Sequence, residues 1–396
     1  MLVYEYKLRT TEYQQSAIDE AIRTAQFIRN KCIRIWMDSK REDKVNYAYF
    51  CRELTKLRNG IEFPFTAKLN VHAGQASAER AWTSISKFYD NCHKKVSGKK
   101  GFPRFKKNSR SVEYKTSGWQ LSKDRKSINF SDKANIGKMR MIGSRDIQFV
   151  NKEDIKRVRI VKRAGGYYCQ FVIKIERNED CTPTNRQVGL DVGLESFYTD
   201  SDGKKVDNPR FLRKAEKELK RLQRKVSRKK KGSNNRKKAI NKLGRLHLKV
   251  SRQRKDFVVK TARALCTSND VIVIENLNVA GMVKNRKLAK SINDASWTSF
   301  KLWLRYFSKV FQRELIEVNP AYTSQDCSSC GKRVKKALST RTHVCSCGVN
   351  LCRDENAAIN ILRKGTVGHI VTSLLSSETL LERITASHNS KEMCLS

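Results

Sequence analysis

The chain has 396 residues, with 83 Lys+Arg against 39 Asp+Glu and a net charge of +44, a length that divides into two or three domains with cores of their own. Collagen-like, mucin-like and multi-span membrane classes are excluded: no run approaches 18 apolar residues, and the first ten residues show no signal-peptide pattern. Such a charge repels itself unless a polyanion lies against it, which favours extended contact with nucleic acid over the remaining alternative, a ribosomal or merely lysine-biased protein.

Residues 1–10 alternate through Val3, Tyr4, Tyr6 and Leu8 and predict a strand. Residues 12–38 carry Ile18, Ile22, Ala25, Ile28, Cys32 and Ile35 at helical spacing. A second helix is predicted from about Gln75 to Tyr89, with Trp82 and Ile85 on its inner face. From Lys94 to Lys107 there are seven basic residues and no acidic one, interleaved with Phe102, Pro103 and Phe105. Gly101 and Pro103 mark a loop in which Arg104, Lys106 and Lys107 suit phosphates; a solvated basic linker is the plainer reading. Residues 120–176 switch to strand patterns, with a turn at Gly165-Gly166, and 177–186 reads as a linker.

A second domain opens on Val188-Gly-Leu-Asp-Val-Gly193. Between Arg213 and Arg263, 51 residues hold 22 Lys/Arg and three acids, and the apolar period persists through them. Two basic helices are predicted, turning near Gly232, with Lys229, Lys230 and Lys231 at the turn as nucleic-acid contacts. Val271-Ile-Val-Ile-Glu275 reads as a buried parallel-type strand ending in an acid. An amphipathic helix at 295–314, a strand at 315–318 and a short helix at 356–362 follow; from about 366 the chain reads as a poorly ordered tail.

Seven of the twelve cysteines are scattered singly, while five fall between Cys327 and Cys352. Cys327-Ser-Ser-Cys330-Gly and Cys345-Ser-Cys347-Gly are two knuckles that bring four thiolates around tetrahedral zinc, a structural site with no position kept for water. The second knuckle is one residue short, so Cys352 or His343 stands as a substitute ligand. Three carboxylates are of another kind. Asp191 lies inside an apolar strand, Glu275 ends another, and Asp354 precedes the closing helix. If the strands are neighbours, the acids converge and a hard divalent ion such as Mg²⁺ relieves their repulsion. The alternative is that Asp191 satisfies a turn, Glu275 pairs with a lysine and Asp354 caps a helix.

Val188-Gly-Leu-Asp-Val-Gly, Ile274-Glu-Asn-Leu, Thr323-Ser-Gln-Asp-Cys-Ser-Ser-Cys-Gly and Arg353-Asp-Glu-Asn-Ala-Ala-Ile-Asn, in that order, resemble the signatures of the TnpB (OrfB) proteins of bacterial insertion sequences. These are RNA-guided DNA endonucleases related to type V CRISPR effectors, and the resemblance covers about 1–363. It implies a multidomain α+β chain. An N-terminal β-barrel wedge (1–10 and 116–180) would hold an inserted helical recognition domain (11–115). A C-terminal RuvC domain of RNase H-like α/β fold (187–323 and 351–365) would carry the basic hairpin 212–263 and an inserted zinc ribbon (324–350). It also implies that Asp191, Glu275 and Asp354 are catalytic and bind Mg²⁺, with zinc on Cys327, Cys330, Cys345 and Cys347. The implied partners are a guide RNA from the transposon end and duplex target DNA beside a short flanking motif. A monomer in a prokaryotic cytoplasm, on the nucleoid and off the membrane, is expected. Where the family commonly has an acid two residues before the last aspartate, this chain has Cys352. A catalytically silent RNA-guided repressor and a miniature CRISPR effector are the alternative functions.

Overall fold

The structure, a computed structural model, describes residues 2–144, 147–337 and 340–367; the tail expected from 366 lies, past 367, outside the described residues. Two units divide the chain, 1–176 and 177 onward.

The first unit begins with β1 (Leu2–Arg9), whose alternation delivers Tyr6 and Leu8 to the core. In α1 (Glu12–Asp38), Thr11 and Gln14 form a capping box that satisfies two orphan N–H groups. Its predicted stripe, Ile18 to Cys32, is buried. α2 (Tyr47–Asn59), capped by Asn46, escaped the periodicity reading because only Phe50 and Leu54 are fully covered. α3 (Val71–His93) completes the insert. Six strands follow: β2 (Ser111–Tyr114), β3 (Trp119–Leu121), β4 (Ser127–Phe130), β5 (Gly137–Ile142), β6 (Ile155–Arg163) and β7 (Gly166–Ile173).

Together with β1 they form one antiparallel sheet in the order β2-β6-β7-β1-β5-β4-β3. The expected barrel is therefore a curled half-barrel: β2 and β3 are its two ends and do not pair. Helices and sheet share one core, from Ile28, Phe50 and Ile85 to Val112, Ile160 and Phe171. Glu113, buried in β2, accepts from Arg80 of α3 at 2.8 Å and from Arg157 and Arg159 of β6 at 2.8 and 2.6 Å. Burial alone would raise its carboxyl; the surrounding guanidinium groups hold it below the usual carboxylate range.

The second unit is built on β8 (Gln187–Val192), β9 (Ser196–Asp200), β10 (Lys205–Asp207), β11 (Val271–Glu275) and β12 (Glu314–Val318), in the order β10-β9-β8-β11-β12. β8, β11 and β12 run parallel, and β9 and β10 antiparallel to their neighbours. Between β10 and β11 come α4 (Phe211–Ser227) and α5 (Asn234–Ser268); after β11 come α6 (Val279–Met282), α7 (Arg286–Ala295) and α8 (Trp297–Val310). β13 (Thr342–Val344) and β14 (Asn350–Cys352) pair in a small hairpin, and residues 353–367 form the closing helix.

The period of two sorts the sheet's faces. Leu190, Ile272 and Ile274 pack with Val258 of α5 and Phe300 and Leu304 of α8, whereas Val273 packs with Ile361 of the closing helix on the other face. Among the described residues no helix is long and apolar enough to cross a membrane.

Candidate functional site

Asp191 stands near the carboxyl end of β8 and Glu275 is the last residue of β11. The parallel register pairs Leu190 with Ile274, so the two acids are the next step along neighbouring strands and share an edge. In open α/β sheets that edge is where ligands bind. The alternation that buries Leu190 and Ile274 against α5 and α8 turns Asp191 and Glu275 to the opposite face, that of the closing helix. Asp354 lies in the first turn of that helix.

The electrostatics follow from this convergence. Burial, then the charges of Glu275 and Asp354, push the Asp191 carboxyl well above its ordinary value; Arg353 and Arg341 oppose the shift. Burial also raises Glu275, against the hydrogen bond Thr323 donates from Oγ1 to Oε1 at 2.6 Å and the charge of Lys364. Asp354 is flanked by Arg353 at 3.4 Å and Arg341 at 3.7 Å. Among the described residues the three carboxylates are not drawn as close as metal ligands; that closeness is seen at the cysteines alone.

Several residues that hold this arrangement were not singled out in the sequence reading. A Cβ on Gly189 would stand 2.2 Å from the carbonyl oxygen of Ala358 and 2.7 Å from the nitrogen of Leu362, so the closing helix lies directly on β8. A Cβ on Gly365 would stand 2.6 Å from the Val273 side chain. Asn356 and Asn360, one turn apart and buried, staple the helix to the loop before it. Asn356 accepts from the Ser328 N–H at 2.9 Å and donates to the Asp326 carbonyl at 2.8 Å; Asn360 donates to the carbonyls of Thr323 and Asp326 at 2.9 and 2.6 Å. Thr323 in turn holds Glu275. The Asn-x-x-x-Asn spacing within the fourth motif was the available signal.

The predicted zinc ligands converge. The sulfurs of Cys327, Cys330, Cys345 and Cys347 all lie within 4.8 Å of one another, with Cys327–Cys347 and Cys330–Cys345 both at 3.6 Å. Thiolates each about 2.3 Å from a tetrahedral zinc stand about 3.8 Å apart, so the cage fits that ion. Backbone N–H groups at the knuckles, first those of Cys330 and Cys347, lower Cys327 to about 7 and Cys345 to about 6. At Cys347 the Val349 N–H also lowers the thiol, but burial and the neighbouring sulfurs push it up to about 11. Neither substitute ligand belongs to the group: Cys352 accepts from Lys205 Nζ at 3.1 Å, and His343 is buried with Nδ1 against Lys336.

Arg104, Lys106 and Lys107 are exposed, but their backbone is held. Arg29 donates to the Arg104 carbonyl at 3.1 Å, Asn30 pairs with both backbone groups of Lys106 at 2.8 and 2.9 Å, and Gln26 donates to the Lys107 carbonyl at 3.3 Å. Phe102 packs on Trp36 and Phe88. The basic side chains therefore project from an anchored loop. In the other unit, Lys229, Lys230 and Lys231 lie in the turn between α4 and α5, Lys229 half-buried and the others exposed. Buried Asp294 roots that hairpin by accepting from the N–H groups of Leu212 and Arg213 and from Arg254.

A mixed sheet of this order with a four-cysteine cluster beside it is consistent with an RNase H-like architecture carrying a zinc ribbon. Residues 170–286 match a family described as "Probable transposase", and residues 297–361 one described as "Cas12f1-like, TNB domain". A putative RNA-guided DNA endonuclease of Streptomyces pristinaespiralis is 30% identical over 377 residues, which are 91% of this chain and 89% of the relative. The putative RNA-guided DNA endonuclease InsQ of Escherichia coli (strain K12) is 32% identical over 305 residues, 72% of this chain and 73% of that one. The chain belongs to the TnpB (OrfB) family, related to the type V effectors. A solved Cas12f1–sgRNA–target DNA complex is 13% identical, with a TM-score of 0.49 over 88% of this chain and 81% of that one.

Proposed function

We propose that this chain is a guide-RNA-directed, Mg²⁺-dependent DNA endonuclease that hydrolyses phosphodiester bonds in target DNA beside a short flanking motif. The observation that carries the reading is the pair of acids, Asp191 and Glu275, on one edge of adjacent parallel strands, with Asp354 charging the same point. In this reading the three carboxylates hold the divalent ion. Their donor set is of the right kind: hard oxygens, with burial first and then the charges of Glu275 and Asp354 keeping Asp191 well above its ordinary value, a condition a cation would relieve. Bound there, Mg²⁺ supplies an activated water and neutralises charge at the phosphodiester.

The chain's own residues orient the site. Thr323 fixes Glu275 by its hydroxyl, and the asparagine staple and Gly189 hold Asp354 to the sheet edge. The same proposal assigns 11–115 and the sheet segments 1–10 and 116–180 to holding the guide–target duplex and reading the flank. It assigns 187–323 with 351–365 to cutting, and the ribbon 324–350 to bracing that centre. Arg104, Lys106, Lys107 and Lys229, Lys230 and Lys231 would meet phosphates. The guide would come from the transposon end, and the protein would act as a monomer on the nucleoid in a prokaryotic cytoplasm.

The test is cleavage of an end-labelled duplex carrying the flank, by protein purified with RNA expressed from its own locus. The intact protein is expected to cut when Mg²⁺ is supplied. Asp191→Ala should bind guide and target near normally and leave both strands whole. Robust cutting by Asp191→Ala would overturn the site, and target binding without any cutting by the intact protein would make it an RNA-guided repressor.

A further inference from the structure

Beside Glu275 the second unit holds a cavity of about 370 Å³, between the segment after β11 and the first half of α8. Val192, Ile274 and Leu277 line one part of it, Trp297 and Phe300 another. Glu275 also borders it at the last step of β11, so although Val192 and Ile274 lie on the α8 face and the acids turn to the other, the cavity opens at the sheet edge the acids share. Its size falls in the range of pockets that take small organic groups, roughly 300–1,000 Å³.

The cations at its rim are committed. Lys301 Nζ bonds Glu317 at 2.6 Å and Asn276 at 2.8 Å, and Arg305 Nε bonds Glu317 at 3.0 Å. The rim therefore spends its charge internally, and the walls are apolar and aromatic. Such walls suit the flat face of a nucleobase rather than a phosphate, and they accept any base because every base has that face.

We propose that this cavity is a subsite for one unstacked nucleobase of the strand being cut, next to the phosphodiester held at Asp191 and Glu275. The proposal rests on the nuclease reading of those carboxylates. A base seated here fixes the register of the phosphate over the acids. It must first leave its stack, so the centre acts on strands already opened and is blind to their sequence.

The experiment places 2-aminopurine, one position at a time, along the target around the cut, bound to the complex of Asp191→Ala protein and its co-purified RNA. One position is expected to change its fluorescence on binding. That change should vanish when the cavity is filled by Ala280→Trp or its mouth is charged by Leu302→Asp; both residues are exposed, Leu302 by 58%, so the core is spared. In the cutting protein, an abasic site at that position should slow cleavage about tenfold, and Ala280→Trp should slow the intact target similarly, with no further loss on the abasic one. A fluorescence series with no responsive position, or a response that survives both substitutions, overturns the subsite. Because fluorescence is read on Asp191→Ala, failure of the nuclease reading shows separately, as cutting by that variant.

Discussion

Asp191 illustrates how one backbone position sets a chemistry. It sits in the strand step beyond Leu190, where alternation turns it from the α5–α8 core toward the closing helix, and there burial, Glu275 and Asp354 raise its carboxyl. An acid raised in the fold binds its proton more tightly than in the unfolded chain. Stability then falls as pH rises from the ordinary carboxylate value, about 3.9, toward the raised one. Asp191→Asn removes that titration. In Mg²⁺-free buffer without chelator, so that zinc stays, the variant is expected to melt higher than the intact protein at neutral pH, with a flatter pH profile. It should gain less from added Mg²⁺. A melting profile over pH 5–8 identical to the unsubstituted chain would remove Asp191 from the charged cluster. Gly189 acts at the same scale by having no side chain. Gly189→Ala sets a methyl against the backbone of the closing helix, which cannot yield as a side chain tip would. We expect a loss of about 1–3 kcal/mol in denaturant titration, with cleavage reduced further because Asp354 rides on that helix. Unchanged stability would mean the helix shifts freely.

The elements carry a second layer of determination. The ribbon is a few short turns and a two-stranded hairpin, β13 and β14, with little core of its own; among the described residues of 324–350 only Cys327, Ser328, His343 and Cys345 are fully covered. We therefore predict that a metal held by the four sulfurs orders it. Cys327→Ser should lower zinc from about one per chain, measured by elemental analysis, and lower the melting temperature, rather than affecting turnover alone. Full zinc content with full stability would remove the assignment. The ribbon joins the sheet through Asn356 and Asn360, which bond Thr323, Asp326 and Ser328. Because Thr323 also bonds Glu275, losing the ribbon is expected to reach the carboxylates. The basic hairpin is different: α4 and α5 pack through Leu219, Leu222, Val226, Ala239 and Val250, rooted by Asp294, so its charges stand on a rigid support.

Charge acts at the scale of the whole molecule. With +44 to distribute, phosphate contact is expected to be spread widely, and each neutralised phosphate adds roughly 0.9 to the steepness of log affinity against log salt on duplex DNA. Replacing Lys229, Lys230 and Lys231 by alanine should reduce that slope by about 2–3 and weaken matched and unrelated targets almost equally. An unchanged slope in filter binding across a salt series would put those lysines in solvent. A loss confined to one sequence would mean they read bases.

The sequence by itself determined what is local or periodic. Strand alternation, the 3.6 period of α1 and α8, the Cys-x-x-Cys knuckle and the run of basic residues depend on near neighbours, and each is visible in a window of a few turns. The family followed from four short motifs in order. Tertiary structure decided what depends on residues far apart in the chain. Whether β8 and β11 are neighbours, and in parallel register, turns two isolated acids 84 residues apart into one edge. The first unit's sheet could have closed but stays open, because β2 and β3 find no partner in each other. Cys352 and His343 could each have completed the zinc set by spacing; the fold sends one to Lys205 and buries the other against Lys336. The roles of Gly189, Asn356 and Asn360 are likewise relations between a helix and a strand or loop. Short-range pattern fixes which residues are available to meet, while pairing register and close approach, set by the packing of the whole unit, decide which of them do.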